Sequence, residues 1–271
     1  MAPIGIFDSG YGGLTVFKSI REQLPMYDYI YLGDNARAPY GNRSFETVYE
    51  YTWECVQWFF RQNCPLVILA CNTASAKALR TIQQKNLPAA APDKRVLGVI
   101  RPTAEVIGNY TKTRAVGVMG TKGTVDSRSY LLEIEKFFPD IEVFQIACPQ
   151  LVPLIESNEY ETEAADYFVK KYVNNLFDQS ATIDTILLAC THYPLLKNKI
   201  KSHAPAGVTI LAQGDIVAVS LKDYLNRHPE METKISKTGN VQFFTTDDPK
   251  DFDGQATRFL GDTVVSHHLH L

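Results

Sequence analysis

The chain has 271 residues, close to twice the ~150 residues of an average domain, so two compact domains are expected. Its 27 basic and 30 acidic residues give a net charge of −3, and 45% of the residues are hydrophobic and 21% charged. These values are typical of a globular protein with a sizeable core, and they exclude a disordered chain, a collagen-like fibre and a highly basic arm for nucleic acid. We therefore expect no nucleic-acid partner.

The sequence shows no sign of a membrane or secreted protein. No apolar run approaches the ~18 residues of a membrane-spanning helix, so no membrane partner is expected. The N-terminal residues lack the basic start and apolar stretch of a secretory signal. We therefore expect a cytoplasmic protein, in which the five cysteines are free thiols and not a disulfide framework.

Short apolar runs alternate with amphipathic stretches along the chain, the pattern of βαβ units around parallel sheets. Strands are predicted over residues 3–7, 29–32, 66–70, 96–100, 115–119, 141–146, 185–189, 208–211 and 241–245. The clearest helix is predicted over residues 161–177, where apolar side chains repeat at helical spacing. Residues 226–238 are polar and contain a proline, so they predict a loop. The C-terminal segment that contains His267, His268 and His270 is predicted to be a solvated tail.

Two stretches rich in proline and alanine, residues 87–92 and 203–207, are predicted to cross between domains. We therefore expect a discontinuous first domain, made of residues 1–97 and 207–271, with a second domain of residues 98–206 inserted into it. The predicted fold class is α/β, with two pseudo-symmetric open-sheet domains and an active site in the cleft between them.

An internal repeat gives the strongest indication of function. Residues 66–73 and 186–192 each run from a buried strand through Ala-Cys into a small polar residue. One copy falls in each predicted domain, and each places its cysteine, Cys71 or Cys190, at the carboxyl end of a strand, where ligands bind in open α/β sheets. Residues that suit a helix N-terminus follow each cysteine, and such a terminus favours an anion. The repeat predicts two thiols that face each other across a cleft.

Two facing thiols suit inversion of a carbon centre without a cofactor. One thiolate removes a proton from one face of the carbon, and the opposite thiol returns a proton to the other face. A helix N-terminus can lower a cysteine pKa from ~8.5 toward neutrality, so stabilising the carbanion is the larger task, and N–H donors aimed at a substrate carboxylate are expected to perform it. His192, two residues after Cys190, and Asp8, at the end of the first strand, are candidate acid–base helpers.

Each of these residues also has a plainer interpretation. A cysteine after a strand is commonly a small buried core residue, a lone histidine is commonly structural, and Asp8 could cap a turn or helix. The repeat favours catalysis for Cys71 and Cys190. The other cysteines lack the pattern and are expected in the core; they are Cys55, Cys64 and Cys148. No metal is expected, because neither a Cys-x-x-Cys motif nor paired-histidine spacing is present.

The same segments carry a resemblance to a known family. Cys71-Asn-Thr and Cys190-Thr-His, taken together with Asp8-Ser-Gly, are its most specific motifs. The sequence resembles the bacterial glutamate racemases, which belong to the cofactor-independent aspartate/glutamate racemase family. The resemblance covers nearly the whole chain, in residues 5–16, 31–41, 69–76, 117–125, 148–156 and 188–196.

The resemblance implies interconversion of L- and D-glutamate, which supplies D-glutamate for peptidoglycan, by a two-thiol mechanism. It implies that Cys71 and Cys190 are the acid–base thiols and that Asp8, Glu156 and His192 assist them. Asp8 and His192, with further residues, would hold the carboxylates and amino group of glutamate; those further residues are Ser9, Tyr40, Gly41, Asn72, Thr73, Thr121 and Thr191. It also implies a homodimer that needs neither pyridoxal phosphate nor a metal.

The chain departs from the family pattern at three places. Ala189 stands where glycine is expected, residues 101–103 replace a Pro-Gly, and Ala212-Gln213 replaces an Asp-Ser. Three other functions stay open on the sequence alone. They are racemisation of aspartate or another acidic amino acid, a cysteine hydrolase that uses Cys190 with His192, and a module that binds an amino acid without turnover.

Overall fold

The chain folds into two parallel β-sheets, which a computed structural model describes over residues 1–271. The strands are β1 Ile4–Asp8, β2 Tyr29–Gly33, β3 Leu66–Leu69, β4 Arg95–Gly98, β5 Ala115–Gly120, β6 Glu142–Ala147, β7 Thr185–Ala189, β8 Thr209–Leu211, β9 Val241–Thr245 and β10 Ser266–His268. Every predicted strand is present, with its ends shifted by at most two residues.

Helices connect these strands. The α-helices are α1 Leu14–Gln23, α2 Phe45–Arg61, α3 Asn72–Lys77, α4 Leu79–Thr81, α5 Leu87–Ala90, α6 Ile100–Val106, α7 Lys122–Asp126, α8 Ser129–Phe137, α9 Leu151–Glu156, α10 Glu163–Phe177, α11 Lys197–His203, α12 Gly214–Arg227, α13 Pro229–Glu232 and α14 Pro249–Leu260. Short 3-10 turns lie at Asn35–Arg37, Tyr40–Asn42, Ile107–Asn109 and Tyr193–Leu196, and a π-helical turn at Ile82–Asn86. No helix combines the length and apolar character that crossing a membrane requires.

Four strands of the larger sheet, β2-β1-β3-β4, follow the same order as the four strands of the smaller sheet. The six-stranded sheet has the order β10-β9-β2-β1-β3-β4 and the four-stranded sheet the order β6-β5-β7-β8, with every neighbouring pair parallel. In both sheets the chain runs to one side of the first strand and then returns to its other side. The order therefore reverses between β1 and β3 in one sheet and between β5 and β7 in the other, and open α/β sheets bind ligands at such points.

Helices cover both faces of each sheet, because parallel strands need crossover connections. Alternate residues of the central strands belong to different apolar clusters: Ile6 packs on one face of the six-stranded sheet and Phe7 on the other. Met119 and Val118 divide the faces of the four-stranded sheet in the same way. Strands buried on both faces read as continuous apolar runs, which is why the sequence predicted them.

The helix predicted over residues 161–177 is α10. Thr162 caps it, since its side-chain oxygen accepts a hydrogen bond from the backbone N–H of Ala165. Glu163 and Asp166 lie in the first turn, where acidic side chains interact favourably with the helix dipole. Its apolar residues are buried against the four-stranded sheet, so the helix is scaffold.

The predicted crossings between domains are wrong in position. Residues 87–92 precede β4, which pairs with β3, so the chain leaves the first sheet only after Gly98. Residues 203–207 precede β8, which pairs with β7, so the return follows Leu211. Proline and alanine are common at any loop or helix end, so their presence does not single out a crossing. The division into two domains stays a proposal, and sheet membership moves its second boundary from 207 to about 212.

Two further predictions need correction. The predicted loop over residues 226–238 contains helix α13, which begins at Pro229; the first helical position tolerates proline because its N–H would have no intrahelical partner. The predicted solvated tail contains β10, which pairs in parallel with β9 at the sheet edge. The polar sequence Ser-His-His gave no strand signal there.

Candidate active site

Cys71 lies at the switch point of the six-stranded sheet. It follows β3 and caps α3, with its Sγ 3.4 Å from the backbone N of Ala74 and 3.4 Å from the hydroxyl oxygen of Ser9. Ser9 follows β1, so the two neighbouring strand ends bring this pair together. Only 6% of Cys71 is exposed, and its thiol is held in a polar but nearly dry setting.

Cys190 lies at the switch point of the four-stranded sheet, directly after β7, and is 5% exposed. Its Sγ is 3.9 Å from Nδ1 of His192, and Nε2 of the same ring is 3.1 Å from a carboxylate oxygen of Glu156. The imidazole therefore connects a thiol with a carboxylate. The predicted helix N-terminus is absent here, because a 3-10 turn follows and α11 begins only at Lys197.

Asp8 ends β1 and supports the loop that joins the two halves of the site. One of its carboxylate oxygens accepts from the backbone N–H of Gly10 at 2.9 Å, and the other lies 3.5 Å from the hydroxyl of Thr191. A Cβ on Gly12 would lie 2.3 Å from the Thr191 hydroxyl and 2.4 Å from Nδ1 of His192. Gly12 therefore lets the loop after β1 approach the end of β7.

Two hydroxyl contacts also join the sheets. Thr73, the second residue of α3, and Thr121, which directly precedes α7, have their hydroxyl oxygens 2.9 Å apart. The hydroxyl of Thr15 donates to the backbone carbonyl of Thr191 at 2.9 Å. These contacts hold the carboxyl ends of the two sets of strands against each other.

Both thiols line one cavity of about 50 Å³. Of the residues predicted for the site, those that line it are Ser9, Tyr40, Gly41, Cys71, Asn72, Thr73, Thr121, Glu156, Cys190, Thr191 and His192. Asp8 lies behind this lining, where it contacts Gly10. The hydroxyl of Tyr40 donates to the buried carboxylate of Asp34, which fixes the ring at the cavity wall.

Sequence reasoning missed several lining residues, among them Cys148 and Lys122; the others are Ala38, Pro39, Asn42, Pro149, Val152 and Pro153. Cys148 was expected in the core, and it is both buried and part of the wall. It directly follows β6, and Lys122 follows β5 by two residues. The rule that selected Cys71, a polar residue after a parallel strand, would have selected both.

The surroundings of Cys71 contradict the lowered thiol pKa that the sequence predicted. Burial raises the pKa of Cys71 to about 12, and the Asp8 carboxylate acts in the same direction. The hydrogen bonds from Ser9 and from the N–H of Ala74 lower the pKa, but by less. Removal of water therefore outweighs the helix end, and Cys71 is a protonated thiol at neutral pH.

The pKa values of His192 and Asp8 are both raised, which suits groups that take part in proton transfer. Burial lowers the pKa of His192, but its hydrogen bonds to Cys190 and Glu156 outweigh this and raise the pKa to about 10. Burial raises the pKa of Asp8, against the opposing effects of the His192 charge and the N–H groups of Gly13 and Gly10. His192 is therefore protonated at neutral pH and lies with Nδ1 3.9 Å from the Cys190 sulfur.

A larger cavity, of about 810 Å³, lies elsewhere. Lys77, Arg80, Arg101 and Tyr224 are part of its wall, and no cysteine is. No group of three or more His, Cys, Asp or Glu side chains has an arrangement that could hold a metal ion. The concentration of thiols, imidazole and hydroxyls selects the smaller cavity as the candidate active site.

Two parallel sheets with matching strand order each bring a thiol to one shared cavity, an arrangement that defines an α/β enzyme with paired thiols. The sequence profile described as Asp/Glu/Hydantoin racemase matches residues 4–221, and the chain belongs to this family. It is therefore a racemase, an enzyme of the isomerase class. The family resemblance and the α/β fold class are confirmed.

Individual racemases are similar to this chain in sequence and in fold over nearly its full length. The chain is 40% identical over 261 residues to a glutamate racemase of Sulfurihydrogenibium sp., covering 96% of this chain and 94% of that protein. Its fold matches a glutamate racemase isoform of Bacillus anthracis with a TM-score of 0.90 at 34% identity, covering 100% of this chain and 98% of the other. It also matches a glutamate racemase of Francisella tularensis in complex with D-glutamate, with a TM-score of 0.87 at 31% identity over 99% and 97% of the two chains.

Proposed function

We propose that this protein interconverts L-glutamate and D-glutamate by proton transfer at the α-carbon, with Cys71 and Cys190 as the two acid–base groups. One observation carries the proposal: each thiol sits at the switch point of its own sheet, and both line one small cavity. The full-length similarity to glutamate racemases supports glutamate as the substrate.

The two thiols start from different protonation states in this mechanism. Cys190 acts as the base, with the protonated ring of His192 beside its sulfur and Glu156 holding that ring in place. Cys71, kept protonated by burial, donates to the opposite face of the α-carbon. For the other enantiomer the roles exchange, as a reversible reaction requires.

Neutral donors surround the place where glutamate would bind. The cavity wall contains no arginine and a single lysine, Lys122, while hydroxyls and an amide come from Ser9, Thr73, Thr121, Thr191 and Asn72. Such donors stabilise the negative charge that grows on the α-carboxylate as the proton leaves. Fixed dipoles therefore lower the barrier for carbanion formation.

Deuterium exchange tests the proposal directly. The purified protein, without added cofactor, should erase the optical rotation of L-glutamate and place deuterium at the α-carbon of both enantiomers in deuterated water. Cys64→Ala is a matched control, because Cys64 is a buried thiol that does not line the cavity, and it should retain the exchange. Absence of exchange by the wild-type protein would refute the assignment, and a faster reaction with aspartate would replace glutamate as the substrate.

The assembly and cellular role form part of the same proposal. The family resemblance supports a homodimer and supply of D-glutamate for peptidoglycan. Light scattering should give about twice the chain mass of 30.4 kDa. Cells that lack the protein should need D-glutamate in the medium, and growth without it would contradict that role.

A further inference from the structure

A buried row of polar side chains runs from the crossings between the sheets to the candidate active site. Nε2 of Gln213 lies 3.1 Å from the carbonyl oxygen of Val99 and 2.6 Å from the hydroxyl oxygen of Tyr130. The Tyr130 hydroxyl lies 2.6 Å from Oδ1 of Asn72. Val99 follows β4 on the outgoing crossing, and Gln213 precedes α12 on the return. We name this row the Gln213–Tyr130–Asn72 relay.

The members of the relay are shielded from water. Gln213 is 3% exposed, Tyr130 0% and Asn72 2%. Water cannot therefore rearrange their hydrogen bonds, and each donor must find a protein acceptor or go without one.

The direction of every hydrogen bond in the relay follows from one backbone group. A carbonyl oxygen only accepts, so the Gln213 atom facing Val99 must be the amide nitrogen. That nitrogen only donates, and its two hydrogens serve three neighbouring oxygens, those of Val99, Thr103 and Tyr130. The Tyr130 oxygen is the nearest of the three at 2.6 Å, so it accepts, and the single Tyr130 hydrogen points to Asn72. The Asn72 atom that receives it must be the carbonyl oxygen Oδ1, so Nδ2 of Asn72 faces the other way.

Nδ2 of Asn72 is buried and has no hydrogen-bond partner in the protein. Asn72 lines the cavity next to Cys71. A buried amide nitrogen without an acceptor is unfavourable, and a carboxylate oxygen of a bound substrate would remove the deficit. The orphaned donor is therefore an independent indication of a ligand group at this wall.

We propose that Tyr130 and Gln213 are positioning residues that hold the Asn72 amide with its N–H groups toward a substrate carboxylate. The inference rests on the proposed function, in which Asn72 contacts glutamate. The oxygen and nitrogen of an asparagine amide are nearly equal in size, so either orientation fits the space. A reversed amide would present its oxygen to the carboxylate and repel it.

The relay depends on a residue at which this chain departs from the family pattern. Serine is the residue that the resemblance predicts at position 213, and its side chain is three heavy atoms shorter than glutamine. Such a side chain would not reach Val99 and Tyr130 together. The relay thus gives Gln213 a role in substrate binding although it does not line the cavity.

Removal of one oxygen tests the relay with little change in packing. Tyr130→Phe keeps the ring in the apolar cluster to which it belongs but frees the Asn72 amide to reverse. Kd and KM for glutamate should rise about tenfold, since a hydrogen bond to a charged group is lost, while kcat stays within about twofold because the contact exists in ground and transition states alike. Gln213→Met should raise both constants about threefold, since Tyr130 can still donate to Asn72 but is no longer forced to.

Thr103→Val is the matched control. The Thr103 hydroxyl lies 2.9 Å from Nε2 of Gln213 and is buried in the same place, but the residue takes no part in the bonds to Tyr130 or Asn72. This variant should lose some stability and keep the wild-type Kd. In an Asn72→Ala background, Tyr130→Phe should cause no further rise in Kd, because the group that it orients is gone.

Calorimetric Kd values separate this inference from the proposed function. A wild-type protein that binds glutamate without α-proton exchange defeats the proposed function and leaves the relay testable through Kd. Wild-type Kd and KM in Tyr130→Phe overturn the relay. Equal weakening by Thr103→Val, or an additive effect in the Asn72→Ala background, overturns it as well, because either shows a packing defect. If Tyr130→Phe does not fold, the comparison of Gln213→Met with Thr103→Val decides.

Discussion

The two thiol sites share a backbone plan and differ in chemistry. Cys71 and Cys190 each follow the third strand of their sheet at its switch point. Cys71 meets the hydroxyl of Ser9 and a helix N-terminus, whereas Cys190 meets His192, which Glu156 holds in turn. The matching strand order therefore brings two thiols to one cavity, and different side chains surround each of them.

The largest effect should follow removal of either thiol. Cys71→Ala and Cys190→Ala should each lower the racemisation rate by a factor of about 10³ or more, because one face of the α-carbon loses its proton carrier. If the two sites act on opposite faces, each variant should still exchange the α-proton of one enantiomer with retention, and the two variants should favour opposite enantiomers. Chiral chromatography with mass spectrometry in deuterated water measures this, and Cys64→Ala serves as the control. Preference of both variants for the same enantiomer would contradict the opposed arrangement.

The next prediction compares the side chain that contacts Cys190, His192, with the side chain that contacts Cys71, Ser9. His192→Gln removes the protonated ring beside the Cys190 sulfur, so kcat should fall by about 10² or more. Ser9→Ala removes a single hydroxyl contact at 3.4 Å from Cys71, and kcat should fall by less than about tenfold. Steady-state kinetics in both directions gives the values. Equal losses would show that the two sides are chemically alike after all.

The pH dependence of the free energy of unfolding measures how much the protonation of His192 contributes to stability. The pKa of His192 is raised to about 10 in the folded protein, against ~6.5 when it is unfolded. The proton that the fold retains therefore stabilises it fully below about pH 6.5, and this contribution is lost as pH rises toward 10. The free energy of unfolding by denaturant should fall over that range in the wild type, and less so in His192→Gln. Parallel curves for the two proteins would show that the histidine is not the cause.

The sequence alone predicted the central strands of both sheets and the position of a thiol in each. The continuous apolar runs predicted the central strands, and the repeated Ala-Cys predicted a thiol at each of two strand ends, because strand ends of a parallel sheet meet at one edge. His192 was found because it lies beside Cys190 in the sequence. Such local signals are readable without an alignment.

The unpredicted features depend on distant parts of the chain. The sequence placed Cys71 at a helix end and predicted a lower pKa, but burial by other elements raises it. The contact of Tyr130 with Asn72 joins residues 58 positions apart. The strand β10 is a polar edge strand that only its pairing with β9 reveals. Burial and long-range polar contacts follow from the assembled fold and leave no local pattern.

The smallest expected effect concerns the contact between the two halves. Thr73→Val removes one hydroxyl of the pair that lies 2.9 Å apart across the cleft, while Thr47→Val removes an exposed hydroxyl at the start of α2. Loss of one neutral hydrogen bond costs about 1 kcal/mol. Thr73→Val should therefore raise KM about threefold to fivefold, because a contact between two walls of the cavity is lost, and should change kcat little, because both thiols stay in place. Thr47→Val should leave both constants unchanged, since its hydroxyl contacts only Ser44 on the surface. A fall in kcat with constant KM in Thr73→Val would instead assign its hydroxyl to the transition state, and the two thiol sites would then differ in carbanion stabilisation as well as in proton handling.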